Sequence, residues 1–362
     1  VSQISIYYHD PVEVDPLTSW TGLCTPLRRA TRIDIATVKI RAITELFSYA
    51  RPDVVISVDG RPVVSIEQTA MNPSGHNIPQ RFSFQVRAAE MNVPSILYYP
   101  EKSRRTFSDP NVRYLNTRVP LAQKRLSQIY NVPALSSFWP IDSRKLPDTK
   151  PSSQKRMADL VSAFVNYSDP TVDIFSLSEV KLALAEMDRT VSMYSERLRK
   201  NVSVRKYFKA GISTSETSKG DRIDPPNGAQ LEKTSDFIAK LGIDFKGAEA
   251  KAIEKKFRGR PYTLVFTGTA NKAKSDSEHP WPGYLSLFDI LYCRSGCAQS
   301  ERNINLVYRL PVSSSNFLER INKKPTPPTA THIVDTFADL LILNGGIVAG
   351  KPMRGSIDAC RI

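Results

Sequence analysis

The apolar pattern of this chain changes period at Arg51. Upstream, Ile35, Val38, Ala42, Ile43, Leu46 and Phe47 recur at helical spacing. That spacing predicts a helix over 33–50, ending ahead of Pro52 because proline disfavours helical backbone in the residue before it. From Asp53 to Thr69 the period becomes two. Val- and Ile-rich runs flank Asp59-Gly60, a hairpin turn signal. A three-residue loop centred on Gly60 sets Asp53 opposite Glu67. Val54, Ile56, Val58, Val64 and Ile66 then fill an apolar face, and Asp53, Val55, Ser57, Ser65, Glu67 and Thr69 share the other. A polar loop over 71–77 leads to a helix over 79–92, with Phe82, Val86 and Ala89 on one side, and then to a buried-type strand over 93–99.

Further along, 141–210 reads as a helical connector. It holds a helix-like stretch over 154–165 and, from Ser176, a long helix with Val180, Leu184, Met187, Val191, Tyr194 and Leu198 in a seam suited to the core or to a second subunit. A polar break over 211–230 opens a third region, 211–362. Its pattern predicts helix over 231–257, strands over 262–267, 284–292, 302–308 and 346–350, and a helix over 332–343. Asp289, Asp335 and Asp339 read there as strand-edge and helix polar residues, and 271–283 as a loop mixing basic, polar and aromatic side chains.

The hairpin carries the candidate chemistry. Two carboxylates side by side repel unless a cation lies between them, and a hard divalent ion such as Mg²⁺ suits paired oxygen ligands. The run Pro52-Asp53, a hairpin, then Glu67-Gln68-Thr69 resembles the PD-(D/E)XK nuclease superfamily, which includes many type II restriction endonucleases. The resemblance covers about residues 30–100 in the order helix, strand, strand, helix, strand. It implies an α/β fold with α+β elaborations: a restriction-endonuclease-like core of mixed sheet flanked by helices over 1–140, followed by the connector and an α+β C-terminal region serving recognition. It also implies that Asp53 and Glu67 hold Mg²⁺, and that an extra acid on the preceding helix, Glu45, assists. The motif Lys is replaced by Thr69, whose hydroxyl supplies no positive charge. Arg81, as a phosphate-binding fork, and Gln85, as a water-orienting amide, are candidates to complete the site. His76 and Asn77, in the loop after the second acid, are candidates to reach DNA. Glu45, Arg81 and Gln85 each have a competing reading as solvated helix residues.

Charge points the same way. The formal net charge is +14, and basic residues cluster at 24–32, 102–105, 197–209 and 251–260. A positive field draws polyanions, and phosphate contacts dominate affinity for DNA. The densest run includes Arg199, Lys200, Arg205 and Lys206, the candidate DNA-binding residues of the connector. Four scattered cysteines read as free thiols of a reducing cytoplasm, and no run approaches a membrane span. Walker-type, dinucleotide-binding and nucleophile-elbow motifs are absent from the sequence. The expected function is a cytoplasmic, homodimeric, Mg²⁺-dependent endonuclease acting on double-stranded DNA. The alternatives are a non-catalytic nucleic-acid-binding protein that keeps the fold, or a nuclease for RNA or structured DNA.

Overall fold

The computed structural model describes residues 2–48, 50–70, 77–104, 112–114, 118–167, 171–200, 214–215, 222–223, 229–242, 246–267, 304–322, 334–335 and 338–350. The chain separates into two units, Val1–Lys200 and Asn201–Ile362.

In the first unit the strands and helices are, in chain order, β1 (Ile4–Tyr8), β2 (Thr31–Asp34), α1 (Arg41–Thr44), β3 (Val54–Val58), β4 (Arg61–Gln68), α2 (Asn77–Glu90), β5 (Ser95–Tyr99), β6 (Lys102–Arg104), β7 (Val112–Tyr114), α3 (Arg118–Tyr130), β8 (Ala134–Phe138), α4 (Lys155–Asn166) and α5 (Ser178–Lys200). Six strands form one mixed sheet in the order β2-β1-β3-β4-β5-β8, and β6 pairs with β7 in a separate ribbon. β1 and β3, and β3 and β4, pair antiparallel, whereas β2 with β1, β4 with β5 and β5 with β8 pair parallel. Parallel neighbours need a crossover, and α2 and α3 supply those from β4 to β5 and from β5 to β8.

The hairpin reaches the expected register by a different route. Its loop is two residues, Asp59-Gly60, with φ of 51° and 77°. Positive φ at both central residues suits a tight turn that matches strand twist. Val58 pairs with Arg61, and an irregularity between Ile56 and Ser57 then absorbs the odd residue, so that Val54 pairs with Ile66. Pro62 lies at this irregularity, where its missing N–H is tolerated. The apolar face, Val54, Ile56, Val64 and Ile66, packs with Met157, Val161 and Phe164 of α4 and Val180, Ala183 and Met187 of α5. Trp20 and Leu27 join the same cluster.

Three expectations need correction. The helix over 33–50 is broken into strand β2, a 3₁₀ turn at Ile35–Thr37, the single turn of α1 and a second 3₁₀ turn at Glu45–Ser48. The Asp34 carboxylate caps Ala36 N–H at 2.8 Å, and β2 hydrogen-bonds along β1, so tertiary pairing overrides the helical spacing. Ile35, Ile43 and Leu46 still point inward, packing with Tyr7, Val55, Ala88 and Val93. Second, the supposedly polar hairpin face is mostly interior, with Val55, Ser57 and Ser65 all buried. Third, α4 and α5 are not a connector, because their apolar stripes cover one face of the sheet and belong to the first core.

The second unit contains β9 (Thr214–Ser215), β10 (Arg222–Ile223), β11 (Ala229–Lys233), α6 (Thr234–Leu241), α7 (Ala248–Arg258), β12 (Tyr262–Thr267), β13 (Ile304–Ser313), α8 (Ser314–Asn322), β14 (Leu340–Asn344) and β15 (Gly346–Ala349). Its five-stranded sheet has the order β11-β12-β13-β14-β15, with β12, β13 and β14 parallel and both edge strands antiparallel. The helix expected over 332–343 is helical at Val334 and Asp335, but its end, from Leu340, belongs to β14, since a short, fully apolar run reads alike as buried strand or buried helix. Similarly, 231–233 belongs to a strand, and the helix starts at Thr234. Asp339 is not an edge residue. It is fully buried in an ion pair with Arg260 at 3.0 Å and accepts Leu306 N–H at 2.8 Å. The strand expected over 284–292, with Asp289, and the loop expected over 271–283 lie outside the described residues. Among the described residues no helix is long and apolar enough to cross a membrane.

Candidate active site at the open end of the hairpin

Asp53 immediately precedes β3, and Glu67 is the penultimate residue of β4. Val54↔Ile66 is the last paired position between these strands, so the next step outward sets Asp53 against Glu67. By the alternation of strand side chains both acids share the face of Val55 and Ser65. Unlike those neighbours, both acids are only partly buried. Glu67 also lies beside Leu97 of β5, in the parallel part of the sheet.

Backbone bonds hold this corner in place. Asp53 Oδ2 accepts the Gln68 backbone N–H at 2.7 Å, and Asp53 O accepts His9 N–H at 2.9 Å. The Gln68 side chain reaches the opposite face. There its Oε1 accepts the Trp20 indole N–H at 3.3 Å, and its Nε2 donates to Glu13 O at 3.5 Å. The end of β4 is therefore fastened on both sides of the sheet. Two residues before Asp53, Arg51 Nη2 lies 3.0 Å from His9 Nδ1 and 3.3 Å from Nε2. This places a guanidinium beside the segment that carries the acid. Arg51 was legible in the sequence as a basic neighbour of Pro52-Asp53, but its pairing with His9 joins positions 42 residues apart.

The other expected residues separate. Glu45 pairs with Arg41 Nε at 2.7 Å, with side chains 40% and 92% exposed, and its backbone oxygen accepts Arg87 Nε at 3.0 Å. Among the described residues no group of three or more His, Cys, Asp or Glu side chains is placed to hold a metal. Thr69 donates its backbone N–H to Tyr98 O at 2.9 Å and lines a cavity beside Gln68.

Gln85 is fully buried and serves a polar network between α2, α3 and the sheet. Its Nε2 donates to Ser95 Oγ at 3.3 Å, and its Oε1 accepts from Gln123 Nε2 at 3.0 Å. Gln123 Oε1 in turn accepts the Ser136 hydroxyl at 2.6 Å, and Ser136 pairs with Tyr99 Oη at 3.0 Å. Both amide atoms of Gln85 are thus engaged inside the protein. His76, Arg205 and Lys206 lie outside the described residues. Asn77 and Arg81 fall in α2 and Arg199 and Lys200 in α5, with their side chains outside the described set.

Two adjacent, partly exposed carboxylates form a hard-oxygen donor set of the kind that Mg²⁺ accepts while keeping several waters. The chemistry of this donor set fits a divalent cation. Comparison with protein-family models, with curated proteins and with solved structures found no significant match for the chain in any of the three.

Proposed function

We propose that the chain hydrolyses phosphodiester bonds of double-stranded DNA, using a divalent cation held by Asp53 and Glu67. The observation that carries this reading is the hairpin register, which sets the two acids on one face at the end of a mixed sheet. The element order from Pro52 onward, β3, β4, α2 and β5, agrees with the resemblance to PD-(D/E)XK nucleases. The leading helix of that resemblance is represented only by short turns. The net charge of +14 favours a polyanionic substrate.

In this reading each residue has a defined task. Asp53 and Glu67 supply the anionic oxygens, and the Gln68 N–H orients Asp53 by satisfying one of its lone pairs. When bound, Mg²⁺ supplies charge stabilisation at the phosphate and an activated water. Thr69 offers no ammonium, and Arg51 provides the nearby positive charge along the chain. A homodimer would bring one such site to each DNA strand.

Incubation of purified protein with unmethylated plasmid or phage DNA in Mg²⁺ tests the reading, with EDTA and Glu67→Ala as controls. Discrete fragments lost in both controls support a site-specific nuclease, and a smear lost in both supports a nuclease without strict sequence choice. The presence of Thr69 at the lysine position favours one second reading, a binding protein that retains the fold. DNA retarded but uncut in Mg²⁺ and in Mn²⁺ would replace the first reading with it.

A further inference from the structure

Three polar residues stand in a row across the open end of the first sheet. Tyr7 of β1 pairs with Val55 of β3, and Val55 pairs with Ser65 of β4. Two residues outward along each strand come His9, Asp53 and Glu67, and strand alternation keeps them on one face. The His9 N–H donates to Asp53 O at 2.9 Å, which carries the pairing a step beyond the ladder. His9 is exposed, whereas Arg51, Asp53 and Glu67 are half-buried.

The end of this row fixes a cation. Arg51 Nη2 lies 3.0 Å from His9 Nδ1 and 3.3 Å from Nε2. A guanidinium only donates, so the ring nitrogen that faces it presents a lone pair. That acceptor bears no formal charge. The contact therefore orients the arginine and leaves its positive charge uncancelled. Among the described residues no carboxylate pairs with Arg51, although Asp53 follows it closely in the chain. Nη2 is the one nitrogen of Arg51 engaged among the described residues, so a full two-donor edge remains. That edge is the fork that matches a phosphate.

We infer that His9 presents Arg51 to a backbone phosphate of the bound nucleic acid, beside the paired acids. Arg51 is the phosphate contact and His9 is a positioning residue. The inference rests on the nuclease reading for its substrate. It adds how an anion is retained at a site that carries two carboxylates. A phosphodiester approaching Asp53 and Glu67 meets like charge, and a guanidinium at the end of their row offsets that repulsion. Tying the arginine to an uncharged ring rather than to an acid keeps its fork available for the substrate.

The test titrates the full chain into a fluorescently labelled DNA duplex in EDTA, over a series of salt concentrations, and reads anisotropy. Losing one phosphate contact lowers the slope of log affinity against log salt by about 0.9. Arg51→Met loses about one such step and binds about tenfold more weakly. Arg51→Lys keeps the step but not the full affinity, since a point charge replaces the fork. His9→Leu weakens binding about threefold, and His9→Asn restores it by setting an amide oxygen near the place of Nδ1. Adding His9→Leu to Arg51→Met costs nothing more, because the histidine acts through the arginine. Circular dichroism melts check that the variants fold. Wild-type protein that does not bind the duplex overturns the inference. So does an Arg51→Met protein with wild-type affinity and slope, or a His9→Leu loss that adds in full to that of Arg51→Met. Cleavage assays in Mg²⁺ separate the two readings. A wild-type protein that cuts DNA, with binding indifferent to Arg51→Met, keeps the nuclease and removes the phosphate contact. A slope lowered by Arg51→Met in a protein that never cuts keeps the contact and removes the nuclease.

Discussion

The Asp53 carboxylate accepts the backbone N–H of Gln68 at 2.7 Å, across the open end of the hairpin. Because the donor is main chain, no substitution at Gln68 other than proline removes it, and the acid is held against the strand that carries Glu67. Asp53→Asn and Glu67→Gln each keep size and shape while removing one negative charge. Each is expected to lower Mg²⁺-dependent cleavage by about 10²–10³-fold, with DNA retardation preserved. Single-turnover cleavage beside a gel-shift titration measures both. Equal loss of retardation would mean that the acids support the fold rather than the chemistry.

Gln123 sits at the centre of the buried network that holds α2 and α3 to the sheet. Its Nε2 donates to Gln85 Oε1 at 3.0 Å and to Leu135 O at 3.1 Å, while its Oε1 accepts from Ser136. Gln123→Leu preserves approximate volume and leaves those buried groups short of a partner. The expected loss is about 1–3 kcal/mol, read as a shift of the urea midpoint at constant slope. Gln123→Glu should also destabilise, since it replaces a donor with an acceptor facing Gln85 Oε1.

In the second unit Arg260 and Asp339 form an ion pair with side chains 8% and 0% exposed. Asn305 lies within the same buried cluster, donating to Phe257 O at 2.8 Å and to Thr234 Oγ1 at 3.2 Å. Removing one member leaves a buried charge uncompensated. Asp339→Ala is therefore expected to cost about 3–5 kcal/mol. Limited proteolysis would show it as earlier cutting within 229–350 while the fragment spanning 1–200 persists. A pair of Met residues at both positions should recover much of the loss, because the penalty lies in the unpaired charge.

Burial raises the pKa of the Cys24 thiol above its ordinary 9.0, although the Ser162 hydroxyl and the Leu27 N–H pull the other way and Asp159 adds to the rise. The folded state thus holds the proton more tightly than the unfolded state. The resulting contribution is fully present below pH 9.0 and fades as pH climbs through the folded pKa. Iodoacetamide at pH 8 should label Cys24 only after urea unfolds the first unit, as read by peptide mass spectrometry. Cys24→Ala should flatten the fall in urea midpoint above pH 9.0.

Local rules reached a good part of the first unit. The turn dipeptide and the period of two located the hairpin and its two faces, but the three-residue loop they suggested is a two-residue turn, and the extra residue at the irregularity beside Ser57 is what restores the register that brings Asp53 level with Glu67. They also marked the apolar faces of β4 and α2 and the buried strand β5. The same rules misread 33–50 and the end of 332–343, from Leu340. Over 33–50 the apolar spacing was right that Ile35, Ile43 and Leu46 face inward and silent about the partner. Thr31–Asp34 forms a strand because β1 offers an edge, and Leu340–Asn344 forms one because β13 does.

The sequence by itself determined the hairpin, its paired acids and the strand-to-helix order that follows them, all of which depend on contacts within a few tens of residues. Only the tertiary structure decided which other side chains share that neighbourhood. It placed His9 against Arg51, turned Gln85 into a buried structural amide and set α4 and α5 over the sheet. It also built the cavity beside Gln68, where Gln154 meets Thr18 across 136 residues of chain. Pairings at that separation follow from how whole faces bury against one another, and no local periodicity encodes them.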